Sequence, residues 1–180
     1  MTRVTEIALA TAETSDKILA RVSQAIVFIT VAVLLTSLSV NVVLRYGFGG
    51  GGRSWLSELP EHFFPWMVAA GVVLAALKGA HIAVDILLYA LNEKAARILA
   101  IGIHVAVAAT YVTLGFVAVN VSQIVAIEYS ALLHISRRWA YYALVFMSVG
   151  MTLASLSLAL RVAVGGIEAM WGAEPEDSPA

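Results

Sequence analysis

Lys78, His81, Asp85, Tyr89 and Asn92 stand at intervals of 3, 4, 4 and 3. On a helix that spacing draws five polar side chains into one stripe, with Ile82, Val84, Ile86, Leu87, Leu88 and Leu91 around the rest of the circumference. His81 and Asp85, at i and i+4, can share a hydrogen bond that keeps the imidazole charged or fixes its tautomer. We read the pair as a structural stitch at a membrane surface rather than a proton relay. Glu58 and Glu61, at i and i+3, can pair with Arg45 or Arg53 or hold a cation; an ion pair or subunit contact suits carboxylates that water reaches. His104 lies about two turns inside a later apolar run. Together with His81 it meets the minimum geometry for two axial haem ligands, but no second matched pair accompanies them, and a packed histidine is the reading we take. The chain has no Cys, which excludes disulfide exchange, iron-sulfur clusters and thiolate metal sites. No cofactor or metal site is assigned.

The elements that carry these residues are long uncharged stretches. Residues 22–44 form a run of 23 without charge between Arg21 and Arg45, and a helix needs only about 20 residues to cross a hydrocarbon core of about 30 Å. A second span, 55–77, is long enough only if it starts near Trp55 and takes Glu58 and Glu61 into the headgroup layer. The third, 98–127, has 30 uncharged residues, more than a perpendicular helix needs, so it should tilt or protrude. The fourth is 139–160. With 61% apolar and 13% charged residues in this blocked pattern, the chain has too little charge for a soluble surface. Backbone groups in lipid must be bonded internally, and no alternation of a barrel is present, so the spans are helices. The expected fold is an all-α membrane protein: one unit over 1–180 with four transmembrane helices and a short interfacial helix over about 80–92.

The flanks add detail. About 20 polar, Thr-rich residues precede the first span, unlike a cleaved signal peptide, so that span should remain as an anchor. Gly47-Phe48-Gly49-Gly50-Gly51-Gly52 satisfies G-x-G-x-x-G, but no strand precedes it; we read a flexible hinge. Trp55, Phe63, Phe64 and Trp66 form an aromatic belt at the mouth of span two. Gly71, Ala75 and Gly79 make a ridge of small residues on which another helix can approach closely, inside this bundle or from a second subunit. Asn120, Ser122 and Gln123 are read as interhelical hydrogen-bonding groups. With the N-terminus inside, Arg3, Lys17, Arg21, Lys78, Lys94, Arg97 and Arg161 are cytoplasmic and Arg45, Arg53, Arg137 and Arg138 are outside. Seven against four of the 11 basic residues favours cytoplasmic termini. A net charge of -1 implies no nucleic-acid surface. The two halves share no pattern of broken, repeated helices, so the chain is not expected to transport alone.

Asn41-Val42-Val43-Leu44-Arg45-Tyr46 closing span one, Trp55-Leu56-Ser57-Glu58-Leu59 opening span two, then Phe64, Trp66 and Gly71, and above all Lys78-Gly79-Ala80-His81-Ile82-Ala83-Val84-Asp85 follow one another in an order that resembles the small integral membrane subunit of tripartite ATP-independent periplasmic (TRAP) transporters. The resemblance rests on residues 41–85 and on the four-span layout. Three features depart from the pattern: a long glycine run after Arg45-Tyr46, Pro60 just after the Trp-Leu-Ser-Glu segment, and no proline in span four. The resemblance implies a non-enzymatic role in the bacterial inner membrane. There the small subunit holds a large sodium-coupled transport subunit for an organic acid in the lipid bilayer and helps a periplasmic substrate-binding protein to dock. A haem- or quinone-binding anchor of a respiratory enzyme is the alternative; a channel formed by this chain alone is the remaining rival.

Overall fold

A computed structural model describes residues 3–47, 54–78 and 91–166. Four helices are long and apolar enough to cross a membrane: α1 (Arg3–Gly47), α2 (Leu59–Leu77), α3 (Glu93–Ile124) and α4 (Arg138–Gly165). The all-helical membrane fold is therefore present. A 3-10 turn at Ser54–Ser57 leads into α2, and another at Val125–Ile127 ends α3.

α1 runs unbroken for 45 residues, about 67 Å at 1.5 Å per residue, so the stretch before residue 22 is helix too. No Gly or Pro interrupts it before Gly47, the Glu13–Lys17 pair supports it at i,i+4 with a 2.7 Å contact, and the hydroxyls of Thr11 and Thr14 bond back to the carbonyls of Ile7 and Ala10. Leu19 packs against a core of Val73, Ala76, Met151 and Ala154. Its tail end is thus docked on the bundle rather than trailing from it.

α4 is the hub. It packs against α3, α2 and α1, while α1 also lies along α2. Its buried face is built mostly from small residues, Ala143, Ser148, Gly150, Ala154, Ser155, Ser157 and Ala159, with Met151 and Val162 among them. In lipid no hydrophobic force drives helices together, so side chains that let backbones approach are what make such contacts. α3 answers with Ala96, Ala100, His104 and Ala108, a buried row at four-residue intervals. α2 answers with Ala69, Ala70, Val73 and Ala76.

That arrangement corrects the ridge on α2. A Cβ at Gly71 would meet no heavy atom within 4 Å and Ala75 is exposed. Among the described residues Gly71 and Ala75 therefore do not pack inside the bundle, because the face that packs is the one carrying Ala69, Val73 and Ala76. Gly79 lies outside the described residues. So do Arg53, His81, Asp85 and most of the expected interfacial helix. Its last residue, Asn92, is not helical: with φ -68° and ψ 152° it caps α3, its side chain accepting the N–H of Ala95 at 2.9 Å. Lys78 is exposed and closes α2, its backbone N–H on the Leu74 carbonyl at 3.3 Å.

Candidate functional site

Polar side chains gather at two ends of the bundle. At the mouth of α2, Pro60 occupies the first turn, where a missing N–H costs nothing, and Glu58 stands at the N-cap. The Glu58 carboxylate accepts the N–H of Leu132 on both oxygens, at 3.2 and 3.1 Å, and the N–H of Leu133 at 3.0 Å. It therefore clamps the loop between α3 and α4, 74 residues downstream in sequence. A neighbouring bond ties in α1: the Asn41 side-chain amide donates to Ser57 Oγ at 3.2 Å.

The clamped loop is internally ordered. Tyr129 and Ser136 form an antiparallel bridge, the N–H of Ser130 bonds the Ile135 carbonyl at 3.0 Å, and Ser136 Oγ reaches the Ala126 carbonyl at 2.9 Å. His134 turns the chain with φ 52°, a left-handed backbone that few side chains other than Asn, Asp or His adopt. Arg137 and Glu128 pair across its base at 3.5 Å.

Among the described residues Glu58 thus has backbone amides as partners, and not Arg45. Arg45 lies over the Tyr46 ring, 5.8 Å from its centroid. Trp55 is 44% exposed on the 3-10 turn. Glu61 is exposed and lines a cavity of about 380 Å³ with His62, Arg137, Ala140 and Tyr141.

His62 went unremarked in the sequence. It is 2% exposed, and neither ring nitrogen has a hydrogen-bond partner among the described residues. Trp66, one turn on, packs against Trp139 with ring centroids 5.0 Å apart and planes tilted by 40°, and against Phe146 at 6.1 Å; its buried Nε1 is likewise without a partner among the described residues. An unsatisfied buried polar group costs about 1–3 kcal/mol. The available signal was spacing: His62 and Trp66 continue the Ala69–Val73–Ala76 face towards the helix start. His104, by contrast, is buried and engaged on α3.

At the opposite end Asp16 of α1 accepts from Ser157 Oγ at 2.6 Å and from Arg161 Nη2 at 2.7 Å. Arg97 of α3 donates to the Ala163 carbonyl near the end of α4, where a cation also suits the helix dipole. These contacts fasten α1 and α3 to α4. Asp16→Asn keeps the shape and removes the charge from a pair whose side chains are 18% and 34% exposed. The expected cost is roughly 1–3 kcal/mol, read as a lower thermal midpoint in detergent and faster proteolysis before residue 22; unchanged values would mean that the pair contributes nothing.

The Asp16 cluster joins helix to helix, the Glu58 cluster joins the start of α2 to the α3–α4 loop, and the Asn41–Ser57 bond joins the two motifs that bracket the glycine-rich segment. A family model described as the DctQ component of tripartite ATP-independent periplasmic transporters matches residues 33–165. The chain belongs to the DctQ family. This is a family of transporter components rather than enzymes. A protein of Haemophilus influenzae, named as a candidate TRAP transporter small permease protein, is 28% identical over 139 residues, covering 74% of this chain and 82% of that one. An uncharacterized protein of Sinorhizobium fredii, y4mM, is 35% identical over 139 residues, 77% of this chain. The DctQ-family chain spans only about a quarter of y4mM, 26% of its length.

Proposed function

We propose that this chain is the small subunit that anchors the large membrane subunit of a sodium-coupled TRAP transporter for an organic acid, and that it helps the periplasmic binding protein to dock. Family membership supports the class. The observation that carries the scaffold role is where the polar groups lie: Glu58 and Asp16 are taken up in fastening helices, while Gly71 and Ala75 face outward from α2. A surface of small residues in lipid suits a helix from another subunit. Neither the matched family nor the relatives' names speak for a haem or quinone anchor.

Gly71→Leu tests the role. A Cβ at residue 71 meets no heavy atom of this chain within 4 Å, so the stability of the purified subunit should change little, while co-purification with the large subunit falls several-fold as the approach surface is filled. Equal recovery of the complex would defeat the assignment of this face. Uptake of an organic acid by the chain alone in liposomes would defeat the scaffold role as a whole.

We further propose an inner-membrane orientation with both termini in the cytoplasm, from the excess of Lys and Arg on that side. The Asp16–Arg161 end is then cytoplasmic and the Glu58 clamp periplasmic. A reporter active only in the periplasm should be silent when fused after Ala180 and active when inserted between Tyr129 and Ser136. The opposite pattern inverts the topology.

A further inference from the structure

The cavity beside His62 is not used by the scaffold role. It lies where α2 and α4 begin, at the level of Glu58, Glu61, Arg137 and Arg138, near the first turns of the two helices that also carry the Trp66–Trp139 contact. Charged residues at a span end followed by tryptophans mark the headgroup layer of a bilayer. Its volume, about 380 Å³, is that of a small-molecule site.

The wall carries both signs of charge. Arg137 supplies a guanidinium whose pairing with Glu128 is long, 3.5 Å, and more than half exposed on both sides, so it retains donors for another partner. Glu61 supplies a carboxylate that makes no hydrogen bond or ion pair among the described residues. Glu58 is committed to the loop amides. A simple anion entering the cavity would face Glu61, and a simple cation would face Arg137. A ligand carrying both charges meets a complement for each.

His62 makes the same demand from the buried side. A neutral imidazole offers one donor and one acceptor, and both stand without a partner at 2% exposure. One suits an oxyanion and the other an ammonium group. Tyr141 adds a hydroxyl that can donate or accept.

We propose that this cavity binds a zwitterion carrying an ammonium and an oxyanion, the oxyanion on Arg137 and the ammonium on Glu61, with His62 hydrogen-bonded to it at the base. An aminophospholipid headgroup and a soluble zwitterionic solute share that chemistry. The proposal does not depend on the transporter role.

The test uses the full chain, purified, stripped of lipid and observed by native mass spectrometry. One arm offers phosphatidylethanolamine and phosphatidylglycerol in equal amounts. The other offers the soluble headgroup glycerophosphoethanolamine against glycerol phosphate. Retention of the zwitterion about tenfold over the anion is expected in at least one arm: in the lipid arm if the source is the bilayer, in the soluble arm alone if it is a solute. Glu61→Gln, at an exposed position where folding is not at stake, should abolish the preference, and His62→Ala should weaken binding of the same ligand in that arm. Equal retention of zwitterion and anion in both arms, or a preference that survives Glu61→Gln, overturns the proposal.

Discussion

Gly150→Ala is expected to destabilise the chain by about 1–3 kcal/mol, the usual cost of forcing an extra carbon into a packed contact. A Cβ at residue 150 would stand 2.7 Å from Val73 Cγ2 and 3.1 Å from Cγ1, well inside contact distance. Val73 is fully buried and β-branched, so its χ1 has little freedom to move the methyls aside. The backbones of α2 and α4 must separate instead, in the core where Val73, Ala76, Met151 and Ala154 meet. The thermal midpoint of the purified protein should fall. Val73→Ala, which opens space on the facing helix, should recover most of that loss in the double variant, giving a coupling energy of opposite sign to the single changes. Simple additivity of the two would mean that the helices do not touch at this point.

Glu58→Gln should release the loop between α3 and α4. The carboxylate accepts three amide contacts on two oxygens; the carboxamide keeps one acceptor and turns an N–H₂ towards donors. Hydrogen bonds to an ionised acceptor are stronger than those to a neutral one, and that added strength should be lost. Hydrogen exchange at Leu132 and Leu133 is the direct readout, with protection expected to fall by one to two orders of magnitude. Exchange in the Ala96–Ala108 row of α3, distant from the clamp, should stay as it was. Protection retained at Leu132 and Leu133 would mean that the loop's own bridge between Tyr129 and Ser136 holds it without Glu58.

These two positions differ in how far they could be foreseen. Glu58 stands out by its place before an apolar run, where an arginine, a cation or another subunit is the expected partner; among the described residues its partners are backbone amides in a loop of no obvious pattern. Gly150 drew no attention, since one glycine in an apolar run of span four looks like any other small residue. The ridge that did draw attention, Gly71 and Ala75, turned outward. A four-residue repeat of small side chains says that a helix can be approached on one face, but it does not say by which neighbour, and in a membrane apolar character no longer separates inside from outside.

Sequence by itself determined the class of this protein. Four uncharged stretches must become helices, because lipid offers no partner for open backbone groups, and short ordered motifs around residues 41–85 pointed to the family that the match over residues 33–165 then established. Composition limited how much of the chain could face water. Tertiary structure alone decided that α4 is the hub, that Asp16 fastens α1 to Ser157 and Arg161, and that His62 is buried with neither ring nitrogen bonded among the described residues. These facts depend on contacts between residues as far as 145 positions apart or on which side of a helix faces its neighbour. In lipid that choice is made by surface fit and by a few hydrogen bonds, and small residues at helical spacing mark a face that can be packed without naming the neighbour that packs it.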